Sequence, residues 1–309
     1  MGSKITRGEM NWGSHEPSQG SYNWGNTDTY INTMNSAGIT VVGFIICCPQ
    51  WATGNTDPLW LPWLNGQAAW DTFCGKIASF ASAAAARYGN KLTYELWNEQ
   101  GATGGFWKPS STDKSLLYLR YGQMFTAVRS AILSKAPDAI VMVGGLTNLP
   151  GGNPTVAGGT EFISGLMRNS VKFDHLGIHP YCNRSSGDSN DPSIHYTDAN
   201  NNYDDVVLVY NLLQSNAAYR DVKLWSTECG NLSSVVLGEA TQANYVQTIF
   251  SRADSGFEGR IPAGVVRGTN YFICRDHPSF PGTGLFNGNG SPKLSATKVR
   301  DYIVAHPRS

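Results

Sequence analysis

Short apolar runs of strand type alternate with longer helical patterns along this chain. The strand candidates are rich in β-branched, aromatic and aliphatic residues, and they cover residues 4–12, 39–46, 91–99, 139–145, 173–181, 222–228 and 265–273. Segments with apolar residues at helical spacing lie between or after them, at residues 26–38, 70–88, 115–135, 161–167, 204–218, 240–253 and 295–305. This alternation predicts an α/β fold with a parallel sheet and crossover helices. Because no linker or internal repeat interrupts it, we expect residues 1–309 to form a single domain.

Two of the strand candidates end in a glutamate that glycine follows. Glu99 closes residues 91–99 and precedes a glycine-rich loop, while Glu228 closes residues 222–228 and precedes Cys229 and Gly230. One such glutamate alone is usually a solvated residue at the rim of a sheet. A carboxylate at the carboxyl end of a parallel strand is also where α/β-barrel enzymes hold their chemistry. The pair Glu99 and Glu228 is therefore the central candidate for catalysis.

The residues around both glutamates resemble the signatures of clan A glycoside hydrolases. The matching motifs are Trp97-Asn98-Glu99 and Trp225-Ser226-Thr227-Glu228-Cys229-Gly230. The resemblance implies a TIM (β/α)8-type barrel, with Glu99 at the end of strand four and Glu228 at the end of strand seven. It also implies a retaining glycosidase that cleaves a β-linked oligo- or polysaccharide, with Glu99 as acid/base and Glu228 as nucleophile.

Three further sequence motifs extend the resemblance over most of the chain. The motifs are Gly105-Phe106-Trp107, Val143-Gly144-Gly145 and Ile178-His179-Pro180-Tyr181. They resemble family thirty-nine of the clan, which includes β-xylosidases and bacterial exopolysaccharide hydrolases.

Four residues are predicted to assist the two acids by the same resemblance. Arg7, on the first strand, is expected to keep Glu228 ionised through a charge-assisted hydrogen bond. Asn98 is expected to donate to the sugar 2-hydroxyl, a contact that strengthens in the transition state. His179 and Tyr181 end the strand before that of Glu228, where a Tyr or His of the clan orients the nucleophile. The alternatives are a surface arginine, a turn asparagine and a core histidine.

Large aromatic side chains near the strand ends are candidate platforms for stacking on sugar rings. The alternative for each is packing in the core or at the rim. The candidates are Trp12, Trp51, Trp107 and Tyr271.

Only seven strands can be counted in the sequence, whereas a TIM barrel has eight. If Glu99 ends strand four, then the strand that carries Arg7 is strand two, and the first strand is missing from this chain. We expect seven recognisable strands, with the last one next to residues 4–7 or separated from them by a gap. Because a gap exposes unpaired backbone groups, a partner chain, a loop or a bound segment is expected to cover it.

Composition narrows the classes of ligand. Lys plus Arg and Asp plus Glu are both 23, so the formal charge is zero and no nucleic-acid partner is expected. Charged residues make up only 15% and aromatic residues 11%, which suits a neutral ligand such as a sugar.

No apolar stretch is long enough to cross a membrane, and no cofactor is expected. We expect an extracellular protein whose natural leader has been removed, with Cys47, Cys182, Cys229 and Cys274 as small buried thiols.

Two other functions are considered. A non-catalytic carbohydrate-binding barrel, degenerated from such an enzyme, would share the aromatic cleft but would not need both glutamates. A metal-dependent hydrolase could use His15, His175 and His179, although these show no ligand spacing such as His-x-x-x-His.

Overall fold

The computed structural model describes residues 4–147, 153–181, 203–230 and 232–306. Cys182 therefore lies outside the described residues. Within these ranges, no helix combines the length and the apolar character needed to cross a lipid bilayer. The chain divides into two compact units, which are described separately. The N-terminal unit consists of Ile5–Leu146 and Gly152–Gly177, and the C-terminal unit consists chiefly of Ile178–Ser309. The expected single domain stays a prediction.

Seven parallel strands follow one another in chain order, as the alternating pattern predicts. Each is joined to the next by a segment that contains helix, which is the topology of a TIM-type (β/α) barrel with seven strands. The strands are β1 Ile5–Asn11, β2 Thr40–Ile46, β3 Leu92–Asn98, β4 Val141–Leu146, β5 His175–Ile178, β6 Lys223–Gly230 and β7 Val266–Phe272.

The helices include all seven that the sequence pattern predicts and several short ones that it does not. Four-residue helices are too short for apolar periodicity to reveal them. The helices are α1 Trp12–His15, α2 Gly25–Ser36, α3 Gln50–Thr53, α4 Gln67–Tyr88, α5 Lys114–Leu133, α6 Gly159–Arg168, α7 Asp205–Gln214, α8 Ser234–Leu237, α9 Glu239–Asp254, α10 Gly256–Gly259 and α11 Leu294–Ala305, with 3-10 turns at Gly89–Lys91 and Ala217–Tyr219.

In the N-terminal unit, β3 lies between β2 and β4 and pairs with both. All seven of its residues are buried, as expected for a parallel strand with neighbours on both sides and helices over the sheet. Its register places Glu95 level with Phe44 of β2 and Met142 of β4. Successive side chains of a strand point to opposite faces of the sheet. The register therefore fixes which side chains of β3 lie on the same face of the sheet as those of β1.

In the C-terminal unit, the pairing of β6 with β7 is interrupted close to Glu228. Ser226 pairs with Thr269 and Cys229 pairs with Tyr271, so two residues of β6 stand opposite one residue of β7. This is the arrangement of a β-bulge, with Thr227 and Glu228 as the two residues of the bulged strand. A bulge turns a side chain away from the regular alternation, and β-bulges are frequent next to active sites.

Candidate active site

Glu99 directly follows β3, where the backbone takes an unusual course. Trp97 has φ 71° and Glu99 has φ 46°, both in the left-handed region that residues with a side chain rarely adopt. Hydrogen bonds hold this turn: the Trp97 indole donates to the Phe106 carbonyl at 2.7 Å, and the Glu99 amide donates to the Gly145 carbonyl at 2.9 Å. Strain of this kind persists only where its surroundings enforce it, and it is concentrated at functional sites.

A glycine on the neighbouring strand makes room for this turn. A Cβ atom on Gly144 would lie 2.3 Å from the Leu96 carbonyl oxygen and 2.4 Å from that of Trp97. The turn also receives the Gln100 side chain, whose amide donates to the Gly144 carbonyl at 3.0 Å. The conformation that places Glu99 thus depends on the absence of a side chain at Gly144.

Arg7 and Asn98 lie together in the N-terminal unit. The Arg7 guanidinium donates to the Asn98 side-chain oxygen at 2.8 Å, and it lies over the Phe44 ring, 4.0 Å from its centroid. Its charge is paired with the carboxylate of Glu95, the Nε to Oε2 distance being 2.6 Å. The expected roles of Arg7 towards Glu228 and of Asn98 towards a sugar stay predictions.

Sequence reasoning overlooked Glu95. This residue has no exposed surface and stands in the middle of β3. A signal was available, because a charged residue inside a continuous buried strand needs a partner of opposite charge. Arg7 could have been proposed as that partner.

Glu228 lies in the C-terminal unit with two side chains of the segment that follows β5. The Tyr181 hydroxyl donates to Glu228 Oε2, and His179 Nε2 lies 3.8 Å from Oε1. The Glu228 side chain is 15% exposed, whereas that of His179 is fully buried. His179 and Tyr181 thus both lie beside Glu228, and their role in orienting it stays a prediction.

Two of the four predicted sugar platforms present no ring surface. Trp12 and Trp107 have no exposed surface, because other aromatic rings of the N-terminal unit surround them. Trp12 packs against Phe73 and Phe80, and Trp107 packs against rings that include Trp63 and Trp70. The prediction of stacking is wrong at these two positions, and both tryptophans contribute to the core.

The other two platforms keep part of their surface. Trp51 and Tyr271 are both partly exposed. The Trp51 indole donates to the Glu16 carbonyl at 2.8 Å, and the Tyr271 hydroxyl donates to the Thr283 carbonyl at 3.1 Å. Both rings are thus anchored at their polar atom, which leaves stacking on a sugar as an open prediction.

The cysteines and histidines of the described residues give two further results. The five described cysteines are free thiols; Cys229 is buried as predicted, Cys47 is half-buried, and Cys274 is exposed, contrary to the prediction. Burial raises the pKa of Cys229 and of Cys47 to about 12, so both are protonated thiols at neutral pH.

His15 uses both ring nitrogens in hydrogen bonds of 2.6 Å, to the Asn11 carbonyl and the Thr27 hydroxyl, which does not favour a metal-binding role.

The fold of the chain is shared with solved glycoside hydrolases. A family 39 glycoside hydrolase from the gut symbiont Bacteroides cellulosilyticus WH2 is 18% identical, with a TM-score of 0.72 over 98% of this chain and 59% of that chain. A monomeric β-xylosidase from Caulobacter crescentus CB15 is 18% identical, with a TM-score of 0.64 over 93% of this chain and 57% of that chain. Xylanase 10B from Thermotoga maritima is 16% identical, with a TM-score of 0.61 over 98% of this chain and 86% of that chain.

These likenesses confirm, at the level of the fold, the resemblance to clan A glycoside hydrolases predicted from the motifs. The chain spans less than two thirds of the length of the first two relatives, 59% and 57%. No protein-family model and no curated protein sequence matches the chain.

Proposed function

We propose that this protein is a retaining glycoside hydrolase that cleaves a β-linked oligo- or polysaccharide. The observation that carries the proposal is the setting of Glu228: a carboxylate in a β-bulge at the end of β6, which accepts a hydrogen bond from Tyr181 and has His179 beside it. A hydrogen bond from a hydroxyl favours the ionised carboxylate, which is the form that a nucleophile needs.

In the proposed reaction the two glutamates act on the same glycosidic bond. Glu228 attacks the anomeric carbon while Glu99 protonates the departing oxygen, and a covalent glycosyl-enzyme forms. Glu99, now ionised, then removes a proton from water, which attacks the same carbon and releases both the sugar and Glu228. The substrate and the released sugar have the same anomeric configuration, because each of the two displacements inverts the anomeric carbon.

Sugar identity is proposed from the structural neighbours alone. Two of these are named as a β-xylosidase and a xylanase, so β-xylosides are the first substrates to test. An extracellular location and a covering partner chain both stay predictions from the sequence.

The experiment is turnover of a panel of aryl β-glycosides, aryl β-xylosides included, by the wild type, Glu228→Gln and Glu99→Ala. We expect Glu228→Gln to abolish turnover, and Glu99→Ala to slow substrates with poor leaving groups most, because only those need protonation. Glu161→Gln serves as the control, since this glutamate forms a partly exposed ion pair with Lys114 at 2.8 Å. Binding of oligosaccharides by the wild type without turnover of any panel member would contradict the proposal and favour a non-catalytic carbohydrate-binding protein.

A further inference from the structure

Glu95 is a buried carboxylate that accepts three hydrogen bonds. The Arg7 guanidinium donates to it twice, from Nε to Oε2 at 2.6 Å and from Nη2 to Oε1 at 3.2 Å. The Gly145 backbone amide donates to Oε1 at 2.7 Å. With three donors and no exposed surface, Glu95 is held in one position.

The backbone around Glu95 leaves room for its carboxylate. A Cβ atom on Gly177 would lie 3.0 Å from Glu95 Oε1, which is closer than most side chains tolerate. Burying a charged pair costs a large desolvation free energy, and well-packed apolar residues are often as stabilising in its place. A need for stability alone therefore does not account for this pair, and Arg7 also holds a second side chain.

Arg7 connects Glu95 to Asn98, the residue before the proposed acid/base. The Nη2 atom that donates to Glu95 Oε1 also donates to Asn98 Oδ1, at 2.8 Å. Because the guanidinium has donors but no acceptor, the Asn98 amide must turn its oxygen towards Arg7. The Asn98 Nδ2 donor therefore points away from the Arg7 guanidinium. The Phe44 ring, 4.0 Å from the guanidinium carbon, restricts Arg7 from a further side.

We propose that Glu95 is a positioning residue: it orients Arg7, and Arg7 orients the Asn98 amide so that Nδ2 donates to the 2-hydroxyl of the bound sugar. This inference rests on the proposed function. It assigns the selectivity for a 2-hydroxyl to a row of three residues that crosses from β1 to β3. Glu95 itself touches no substrate, and it acts only through the direction of the Asn98 amide.

The test compares Glu95→Gln with the wild type on the aryl β-glycoside that the wild type cleaves best and on its 2-deoxy counterpart. Glutamine keeps the shape but removes the charge and replaces one acceptor oxygen by a donor. Hydrogen bonds to the 2-hydroxyl strengthen in the transition state, so kcat/KM on the 2-hydroxyl substrate should fall about tenfold to a hundredfold. On the 2-deoxy substrate, which has no hydroxyl for Asn98 to contact, the variant should match the wild type.

Two further variants keep the test decisive. Glu95→Asp retains the charge but is one methylene shorter, which withdraws the carboxylate from Arg7, so it should show the same selective loss even where Glu95→Gln does not fold. In an Asn98→Ala background, Glu95→Gln should cause no additional loss, because the group it positions is gone. Glu161→Gln makes the same chemical change at a partly exposed ion pair and should alter neither substrate.

Equal losses on the two substrates, by Glu95→Gln or by Glu95→Asp, would show a general structural role and overturn the inference. Additive losses with Asn98→Ala would do the same. A wild type that cleaves neither substrate would instead count against the proposed function, so the two failures are distinguishable.

Discussion

At the scale of single residues, Glu228 and Glu99 are held by different means. A side chain, Tyr181, holds the carboxylate of Glu228 directly, with His179 at 3.8 Å on the other oxygen. Glu99 is placed through its backbone, in a turn that hydrogen bonds of Trp97 and of its own amide maintain. Substitution of Tyr181 or His179 should therefore change the reactivity of the Glu228 carboxylate. Substitutions that disturb the turn should instead displace the Glu99 side chain.

Tyr181→Phe removes one hydroxyl and with it the hydrogen bond to Glu228. We expect kcat/KM to fall about tenfold to a hundredfold, the range for one hydrogen bond to a charged group. Steady-state kinetics on an aryl β-glycoside measures this. Tyr302→Phe is the matched control, because the Tyr302 hydroxyl donates to the exposed carboxylate of Asp254 at 2.8 Å in the same unit. Equal activities of the two variants would show that Tyr181 has no role at the nucleophile.

At the scale of strands and helices, the sequence pattern predicts the elements better than their ends. The strand predicted at residues 91–99 is observed at Leu92–Asn98, and the helix predicted at residues 70–88 is observed at Gln67–Tyr88. Both have long apolar patterns, which tertiary packing preserves. The bulge at Glu228 could not be predicted, because apolar composition does not say which backbone groups pair with β7.

The same distinction applies to the candidate site. Glu99 and Glu228 could be singled out because each closes an apolar strand pattern and has a glycine two residues later. The burial of Trp12 and Trp107 could not, since an aromatic residue near a strand end is compatible with both a platform and a core position. Which neighbours cover a ring depends on contacts far apart in the chain.

The turn that carries Glu99 makes Gly144 a sensitive position of β4. Gly144→Ala would place a methyl group against two backbone carbonyls, and we expect a loss of about 3 kcal/mol in the free energy of unfolding, or more. Gly75→Ala is the control: it lies within α4, where a Cβ atom meets nothing within 4 Å, and it should gain about 0.5–1 kcal/mol. Urea denaturation measures both, and equal effects of the two substitutions would contradict this reading of β4.

At the scale of the whole molecule, the strands of neither compact unit suffice for a barrel. The N-terminal unit contains β1 to β4 and most of β5, while the C-terminal unit contains β6 and β7. A closed barrel removes every free strand edge, and neither group of strands can do so alone. We therefore expect the two units to depend on each other for stability, in keeping with the single domain predicted from the sequence.

Differential scanning calorimetry tests this dependence. For one cooperative transition, the calorimetric enthalpy of unfolding equals the van 't Hoff enthalpy. We expect this equality over residues 1–309, at several protein concentrations so that association is detected. Two resolved transitions would instead show that the units unfold separately, and the prediction of a single domain would be wrong.

The proposed nucleophile can be identified by trapping the covalent intermediate. An aryl 2-deoxy-2-fluoro β-glycoside of the preferred sugar forms the glycosyl-enzyme faster than water removes it, since the fluorine destabilises both transition states while the aryl group leaves readily. Tandem mass spectrometry of the tryptic peptide that follows Lys223 then locates the sugar. We predict one fluorosugar per chain, attached to Glu228. A sugar on any other residue, or none on an enzyme that cleaves the unfluorinated substrate, would contradict the assignment of Glu228 as the nucleophile.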